Sequence, residues 1–204
     1  MFRKAQFRPL NHSREWQWVQ ANWLADVRKP WSAVARDRRV SDNDIERLIA
    51  FSGTDLAKAQ ARAVHAFRIA IETAMRAGEI TGLTRDAVDI ERRTAHLPNT
   101  KNGTARDVPL SSAAIALINE LPEKTEKLFG LDARSLDTLF RRVRDRTEIE
   151  NLRFHDSRHE AITRLAQKLE PLELARMVGH KNLNMRLIYY NQTAEQLAQN
   201  SVSF

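Results

Sequence analysis

Between residues 86 and 110, three short strand-like segments interrupt a chain that is otherwise patterned for helices. Val88 and Ile90 mark the first segment, residues 94–97 form the second, and residues 106–110 form the third. The Asn102-Gly103 pair between the last two segments is a strong signal for a two-residue hairpin turn. This stretch therefore predicts a small antiparallel sheet of three strands, set into a helical chain.

Apolar residues at helical spacing occupy most of the chain on both sides of this sheet. Ser41 or Asp42 is suited to cap a first helix, and a long helix follows over residues 58–75, with Val64, Phe67 and Ile71 on one face. Further helices are predicted over 79–83, 111–120, 134–147, 156–169, 171–178, 183–189 and 192–199. The predicted fold is mainly α with a small three-stranded antiparallel β-sheet.

The charge of the chain points to a polyanionic partner. The formal net charge is +7 and the sequence pI is about 10.1, which favours nucleic acid over a membrane because no basic amphipathic lipid-binding helix stands out. Cysteine is absent from the 204 residues, which excludes disulfides and thiolate metal sites and fits a reducing cytoplasm. The sequence has no apolar run of transmembrane length and no signal-peptide pattern at its start.

Residues 1–40 differ from the rest of the chain in charge and in aromatic content. They hold nine Lys and Arg residues against three acids, and all four tryptophans. Ser13 is suited to cap a helix that carries Trp16 and Trp23 on one face, and Pro30 favours an extended connector after it. From charge alone, this stretch is equally consistent with a solvated tail and with a connector that follows DNA. Its last basic residues are Arg36, Arg38 and Arg39.

Residues 155–159, HDSRH, present candidate metal ligands or phosphate contacts. On a helix His155 and Arg158 share a face, whereas His155 and His159 have the spacing of a two-histidine metal site. The general-base glutamate of zinc helices is replaced here by Asp156, and no third carboxylate ligand is evident nearby. Metal binding is therefore the less favoured interpretation.

Several cationic residues and one tyrosine together make a coherent set for phosphoryl transfer without a metal. Cleavage of a DNA diester needs cations around the phosphate, an in-line nucleophile and an acid for the leaving group. Arginine forks suit the phosphate, a hairpin lysine suits the leaving oxygen, and a tyrosine beside a histidine or cation suits the attack. Taken singly, each residue is more easily explained as structural or solvated. The set is Arg76, Lys101, His155, Arg158, His180 and one of the adjacent pair Tyr189 and Tyr190.

Four segments, in order, resemble the motif boxes of the tyrosine recombinases, also called phage integrases. ETAMRAGEITGL (72–83) resembles the first arginine box, and NTKNGTARDVPLS (99–111) resembles the hairpin that carries the catalytic lysine. FHDSRHEAITRLA (154–166) resembles the His-x-x-Arg box, and LARMVGHKNLNMRLIYYN (174–191) resembles the terminal box. The resemblance covers about residues 41–195, and the order and separation of the four boxes make it specific.

The resemblance implies the tyrosine recombinase catalytic fold and assigns roles to the set. In the first box Glu79 is the usual acidic companion of the arginine, and the family's spacing from Gly179 places the nucleophile at Tyr189 rather than Tyr190. The family chemistry implies a covalent 3′-phosphotyrosyl link, a freed 5′ hydroxyl, and no cofactor. Stabilisation of the transition state is expected from Arg76, Arg158 and His180, proton transfer or phosphate contact from His155, and general acid catalysis from Lys101. The DNA contacts expected beyond these are Arg36, Arg38, Arg39 and Lys181.

The resemblance also implies a two-part organisation and a set of partners. Residues 1–40 are expected to be the remnant of a helical core-binding domain with its basic linker, and residues 41–204 the catalytic domain. Double-stranded DNA is the expected partner, with a tetramer on synapsed DNA formed from chains that are monomeric without it. A helix within residues 191–204 is expected to dock on a neighbour. The expected setting is the bacterial cytoplasm, on the nucleoid, as part of a phage-derived or other mobile element.

Three rival functions remain open at this point. A type IB topoisomerase uses similar chemistry on one duplex, although the motifs are more like those of integrases. A non-catalytic DNA-binding relic would bind DNA in a salt-dependent way without forming a covalent adduct. A metal phosphohydrolase built on His155 and His159 would lose its activity in EDTA.

Overall fold

The computed structural model describes residues 17–18, 38–98, 105–123 and 126–179, and the account below is confined to them. The chain divides into two units between residues 36 and 37, and every helix and strand of the described residues belongs to the second unit. The elements are α1 (Asp42–Ser52), α2 (Ala59–Thr73), α3 (Ala77–Gly82), β1 (Val88–Asp89), β2 (Thr94–Leu97), β3 (Arg106–Pro109), α4 (Ser112–Asn119), α5 (Ala133–Arg146), α6 (Asp156–Ala166) and α7 (Pro171–Val178). The predicted fold class, mainly α with a three-stranded antiparallel sheet, is confirmed.

The first helix, α1, begins where the sequence has its capping signal. The hydroxyl of Ser41 accepts a hydrogen bond from the backbone N–H of Asp44 at 3.1 Å, and the Asp44 carboxylate accepts one from the Ser41 N–H at 2.9 Å. This reciprocal pair satisfies two of the N–H groups that a helix start leaves without partners.

The long helix α2 forms the centre of the domain, and other helices pack around it. Its predicted apolar face, Val64, Phe67 and Ile71, is almost entirely buried. Phe67 stacks on Phe140 of α5 with 4.6 Å between ring centroids, and both rings meet the edge of Phe154. Because Phe154 is held by two other rings, the residue that follows it, His155, starts from a fixed backbone position.

The sheet is a meander in the order β1-β2-β3, with both pairs antiparallel. Ala95 of β2 lies opposite Val108 of β3, both are fully buried, and Leu97 lies opposite Arg106. This register turns one face of the sheet toward the helical core. The pairing of β3 with β2 also fixes the position of Arg106, which is the first residue of β3. The predicted Asn102-Gly103 turn between these strands lies outside the described residues.

The helix predicted near the start of the chain differs from the structure, and the last two predicted helices are not covered by it. Gln17 has a φ of 58° and lies in a turn, and Trp18 lies in a bend, so the helix predicted through this region does not include them. A positive φ interrupts the α-helical hydrogen-bond pattern, which explains the break. The helices predicted over 183–189 and 192–199 lie outside the described residues. Within the described part of the chain, no helix has both the length and the apolar character needed to cross a membrane.

Candidate active site

Arg76 stands at the sharp turn between α2 and α3. Helix α2 ends at Ala74, which has a left-handed backbone (φ 55°, ψ 19°), and Arg76 then provides the N-cap of α3. The Arg76 side chain is 21% exposed, and its Nη1 donates to Oε1 of Glu79 at 2.8 Å. The backbone N–H of Arg76 donates to Oε2 of the same carboxylate, also at 2.8 Å. Glu79 therefore fixes both the backbone and the side chain of Arg76.

Glu79 is a buried carboxylate shared by two arginines. Besides Arg76, it accepts hydrogen bonds from Nη1 and Nη2 of Arg106 at 3.0 and 2.8 Å. Burial alone would raise the pKa of Glu79, but the hydrogen bonds and charges of Arg106 and Arg76 outweigh it and lower the pKa from 4.5 to about 2. The carboxylate is therefore ionised at neutral pH and holds two cations in place.

Arg158 lies on the first turn of α6 and is almost completely buried, with 4% exposure. Its Nη1 donates to the carbonyl oxygen of Ala74, and its Nη2 donates to the carbonyl oxygen of Val178 at 2.6 Å. One guanidinium thus joins the turn that precedes Arg76 to the last residue of α7. The N–H fork of arginine makes such two-point contacts possible.

His155 caps the start of α6 and is exposed at the surface. Partial desolvation lowers the pKa of His155 below its usual 6.5, and the positive charges of Arg158 and Arg76 lower it further, while Asp156 acts in the opposite direction. The imidazole is therefore neutral at physiological pH and can accept a proton. Arg76 and the pair His155 and Arg158 come from distant parts of the chain, and the hydrogen bond from Arg158 to Ala74 brings these two parts together.

The other residues predicted for the site fall into two groups. The first group lies outside the described residues and consists of Arg36, Lys101, His180, Lys181, Tyr189 and Tyr190. Arg38 and Arg39 are described, and both make ion pairs within the domain: Arg38 donates to Asp44 at 3.1 Å, and Arg39 donates to Glu160 at 2.7 and 3.0 Å. Arg39 keeps 54% of its side chain exposed, whereas Glu160 is 3% exposed.

The alternative of a metal site depends on the positions of the acidic and histidine side chains. Among the residues described, no three His, Asp or Glu side chains lie together in a group that could hold a metal ion. His155 and His159 are on the same helix, but the first is exposed while the second is half-buried. The structure thus gives this pair no third ligand within the described part of the chain.

Arg106 and Glu160 are the two residues of this region that sequence reasoning did not single out for a role. Both are largely buried charged side chains that pair with partners far away along the chain. Arg106 was predicted only as part of a strand, and Glu160 only as part of a helix. No local spacing signal distinguishes either from a solvated residue.

Arg158, of the third box, holds the carbonyl of Ala74, two residues before Arg76 of the first box, and His155 begins the helix that carries Arg158. A sequence profile described as the phage integrase family matches residues 38–196. The chain belongs to the phage integrase family.

Three comparisons place the chain among phage integrases and related recombinases. The shufflon-specific DNA recombinase of Escherichia coli is 37% identical over 186 residues, which are 90% of this chain and 47% of the relative. The catalytic domain of bacteriophage HP1 integrase superposes with a TM-score of 0.63 at 25% identity, covering 81% of this chain and 94% of that domain. The integrase of the Tn1549 transposon, solved with circular intermediate DNA, gives a TM-score of 0.69 at 19% identity over 97% of this chain and 76% of its own.

These comparisons confirm the tyrosine recombinase catalytic fold. The Tn1549 likeness, at 19% identity, bears on the fold alone. The chain spans about half the length of the curated relatives that it matches. The activity, substrates and partners of a whole phage integrase are therefore taken up below as proposals for this chain.

Proposed function

We propose that this chain is the catalytic part of a site-specific DNA recombinase that cleaves and rejoins strands through a covalent 3′-phosphotyrosyl intermediate. The observation that supports the proposal is geometric, in a chain of the phage integrase family: Arg158 holds the carbonyl of Ala74, two residues before Arg76, and His155 begins the helix that carries Arg158. Two arginines and one neutral histidine supply fixed positive charge and a proton acceptor, which phosphoryl transfer needs.

In the proposed reaction the phenolic oxygen of Tyr189 attacks a scissile phosphate of double-stranded DNA. The new bond joins the tyrosine oxygen to the phosphorus, and the bond from phosphorus to the 5′ oxygen breaks. The phenol loses its proton, for which His155 is the proposed acceptor, and Lys101 gives a proton to the leaving 5′ oxygen. Arg76, Arg158 and His180 stabilise the charge that develops on the phosphate oxygens.

The second half of the reaction reverses the first with a different strand. The 5′ hydroxyl of that strand attacks the phosphotyrosyl bond, forms a new DNA diester and returns the tyrosine to its free state. The energy of the diester is kept in the protein link, so the chemistry proposed here needs neither a nucleotide cofactor nor a metal ion. Tyr190 takes no part in this chemistry.

DNA binding in this proposal uses basic residues outside the catalytic set. The proposed phosphate contacts are Arg36, Arg38, Arg39 and Lys181, of which Arg39 has a side chain that is 54% exposed. The DNA complex of the Tn1549 integrase, which has the same fold, supports DNA as the partner. We further propose that synapsis of two duplexes brings four chains together and that residues 1–40 contribute a basic linker and part of a core-binding domain.

A covalent-capture experiment tests this function. The chain is incubated with a pool of nicked duplexes that carry a randomised segment, so that a cleaved strand loses a short piece and cannot be rejoined. The duplexes carry a label on the 5′ side of the expected break, and the proposal expects an SDS-stable adduct that retains this label. The adduct should form equally in EDTA. It should be strongly reduced in Arg76→Gln. Arg92→Gln, a change at an exposed arginine of the β1–β2 turn, serves as the control and should form adduct at the wild-type rate.

The outcomes of this experiment separate the rival functions. DNA binding without any adduct would contradict the proposal and favour a non-catalytic DNA-binding relic. Loss of DNA cleavage in EDTA would contradict it and favour a metal phosphohydrolase. A separate assay on supercoiled plasmid tests the third rival, because relaxation without preference for a sequence would favour a type IB topoisomerase.

A further inference from the structure

Arg106 makes contacts with three parts of the catalytic domain at once. Its own backbone belongs to β3, the strand that follows the hairpin on which Lys101 is placed by sequence. Its Nη1 and Nη2 hold the Glu79 carboxylate, and its Nε donates to the carbonyl oxygen of Met177 at 3.0 Å. The side chain is only 9% exposed, so these contacts are shielded from solvent.

The contact with Glu79 links Arg106 to Arg76. Both oxygens of Glu79 accept hydrogen bonds from Arg106, and Oε1 also accepts one from Nη1 of Arg76. Each guanidinium therefore restricts where the carboxylate can be and hence where the other guanidinium can be. Two cations and one anion leave one net positive charge in this group. Arg76 is the more exposed of the two arginines, at 21% against 9% for Arg106, so solvent reaches this group mainly at Arg76.

The contact with Met177 links Arg106 to the end of α7. Gly179 terminates this helix in the left-handed region, with φ +65°, and a Cβ added there would lie 3.2 Å from Nη1 of Arg106. The lack of a side chain at Gly179 therefore permits the left-handed backbone and also leaves room for the Arg106 guanidinium. The next carbonyl along the helix, that of Val178, is held by Arg158. Two buried arginines thus fix consecutive carbonyls just before His180 in the sequence.

We propose that Arg106 is a positioning residue that sets the relative placement of three parts of the active site. Through Glu79 it orients Arg76, through Met177 it fixes the helix end that precedes His180 in the sequence, and it begins the strand that follows Lys101 in the sequence. This inference rests on the function proposed above. Arg106 itself is only 9% exposed and acts through the residues that it holds.

The geometry requires an arginine rather than any cation. The guanidinium uses two nitrogens on Glu79 and a third on Met177, whereas the single ammonium of a lysine cannot match this planar fork. Arg106→Lys keeps the charge that Glu79 needs but cannot hold the carboxylate at both oxygens and the Met177 carbonyl together. Arg106→Gln also removes the charge. The two variants therefore separate neutralisation of Glu79 from the positioning that we assign to Arg106.

The first test needs no catalysis. Amide hydrogen exchange is measured in the wild type, Arg106→Lys, Arg106→Gln and the control Arg93→Gln. Arg93 belongs to the same sheet region and also donates to a backbone carbonyl, that of Leu110, but its described contacts do not include Glu79 or α7. Exchange in the last turn of α7 is expected to rise by about tenfold in both Arg106 variants and to stay unchanged in α2 and in the control. Unchanged exchange in α7 would overturn the proposed link.

The second test separates positioning from a general loss of structure. The rate of adduct formation is measured on one nicked duplex at saturating protein and divided by the folded fraction. Both Arg106 variants are expected to cleave about 100-fold more slowly per folded molecule. Their dissociation constant for that duplex should be unchanged. Arg106→Lys should be more stable than Arg106→Gln, but its cleavage rate should recover less than its stability. A rate that falls only in proportion to the folded fraction would overturn the inference. If the wild type forms no adduct, the proposed function fails, and the exchange experiment still decides whether Arg106 fixes α7.

Discussion

Arg158 donates a hydrogen bond to the carbonyl oxygen of Ala74, two residues before Arg76 in the chain. The same guanidinium holds the carbonyl of Val178, at the end of α7. The arginine of the His-x-x-Arg box is therefore also a structural bridge between the first arginine box and the start of the terminal box. The two arginines expected to contact phosphate are not placed independently, because a shift of one moves the turn that carries the other.

Loss of the Arg158 side chain is expected to destabilise the fold as well as to abolish cleavage. Arg158→Ala leaves two buried carbonyl oxygens without this donor, at about 1–3 kcal/mol each, so the free energy of unfolding should fall by about 3 kcal/mol or more. Urea denaturation followed by circular dichroism measures it. Arg141→Ala is the matched control, because Arg141 is 54% exposed and pairs with Asp137 at the surface, and it should cost less than about 1 kcal/mol. Equal losses in the two variants would refute the bridging role.

Glu79 is expected to make the domain sensitive to acid. Its pKa is about 2 in the folded chain against an ordinary 4.5. As the pH falls from 4.5 towards 2, the unfolded chain takes up a proton that the folded chain does not, so stability falls. The contribution is about 3 kcal/mol, at about 1.4 kcal/mol per pKa unit; it is fully present above pH 4.5 and lost as the pH drops through 2.

The measurement for this prediction is the urea midpoint between pH 2 and 7 in the wild type and in Glu79→Gln. The variant should be less stable at pH 7. Below pH 4.5 the slope of its stability against pH should be smaller than that of the wild type, by an amount that corresponds to about one bound proton. Glu160, whose pKa is also lowered from 4.5 to about 2 through Arg39 and Arg164, should contribute a second such effect in Glu160→Gln. Parallel pH curves in wild type and Glu79→Gln would show that this carboxylate is not held ionised.

The titration of His155 tests whether the two arginines lie near it. Since desolvation and the charges of Arg158 and Arg76 lower its pKa, its NMR titration midpoint should fall below 6.5 and move upward in Arg76→Gln. The signal is assigned by its loss in His155→Gln, and Arg92→Gln should leave the midpoint unchanged. Because the folded chain binds this proton less readily than the unfolded chain, His155 adds stability above pH 6.5 that is lost at lower pH. A midpoint above 6.5, or one that Arg76→Gln does not move, would contradict the described cluster.

Glu160 is expected to hold the start of the domain against α6. Its carboxylate accepts hydrogen bonds from the side chain of Arg39, from the Val40 N–H at 3.1 Å, and from the side chain of Arg164 at 2.7 Å. Glu160→Ala removes all three acceptor contacts, so the segment around Arg39 should open more often and be cut faster by trypsin.

The protease experiment has two internal controls. Cleavage in the exposed turn at Arg92 should proceed at the wild-type rate in Glu160→Ala, because this turn has no contact with Glu160 among its described interactions. Glu160→Gln keeps a side-chain oxygen for Val40 but loses the charge, so its cleavage near Arg39 should be intermediate. Equal cleavage near Arg39 in all three proteins would refute the anchoring role.

Local sequence patterns predicted most of the elements because their causes are local. The cap at Ser41, the apolar face of α2 and the strand-like segments around residues 86–110 each depend on neighbours a few positions away. The helix bounds differ from the prediction by three residues or fewer, as expected where helix ends fray. The non-helical Gln17 and Trp18 were not predicted, since glutamine carries no signal for a positive φ.

The supports of the active site could not be predicted in the same way. Arg106 pairs with Glu79 across 27 positions, and Arg39 pairs with Glu160 across 121. These pairs depend on the register of the sheet and on the packing of α6, which no local pattern encodes. The sequence marks Arg76, His155 and Arg158 as candidates through their order in the chain, but the residues that hold them become evident only in three dimensions.

The central claim is that Tyr189, and not its neighbour Tyr190, attacks the DNA. The most direct measurement is covalent capture on the nicked duplex with the wild type, Tyr189→Phe and Tyr190→Phe, followed by mass spectrometry of the adduct. Trypsin cuts after Arg186, and one peptide, residues 187–204, then carries both tyrosines, so the two variants and fragmentation of this peptide are needed to place the nucleotide. We expect an adduct on Tyr189 in the wild type and in Tyr190→Phe, and none in Tyr189→Phe. An adduct that persists in Tyr189→Phe and disappears in Tyr190→Phe would contradict the account.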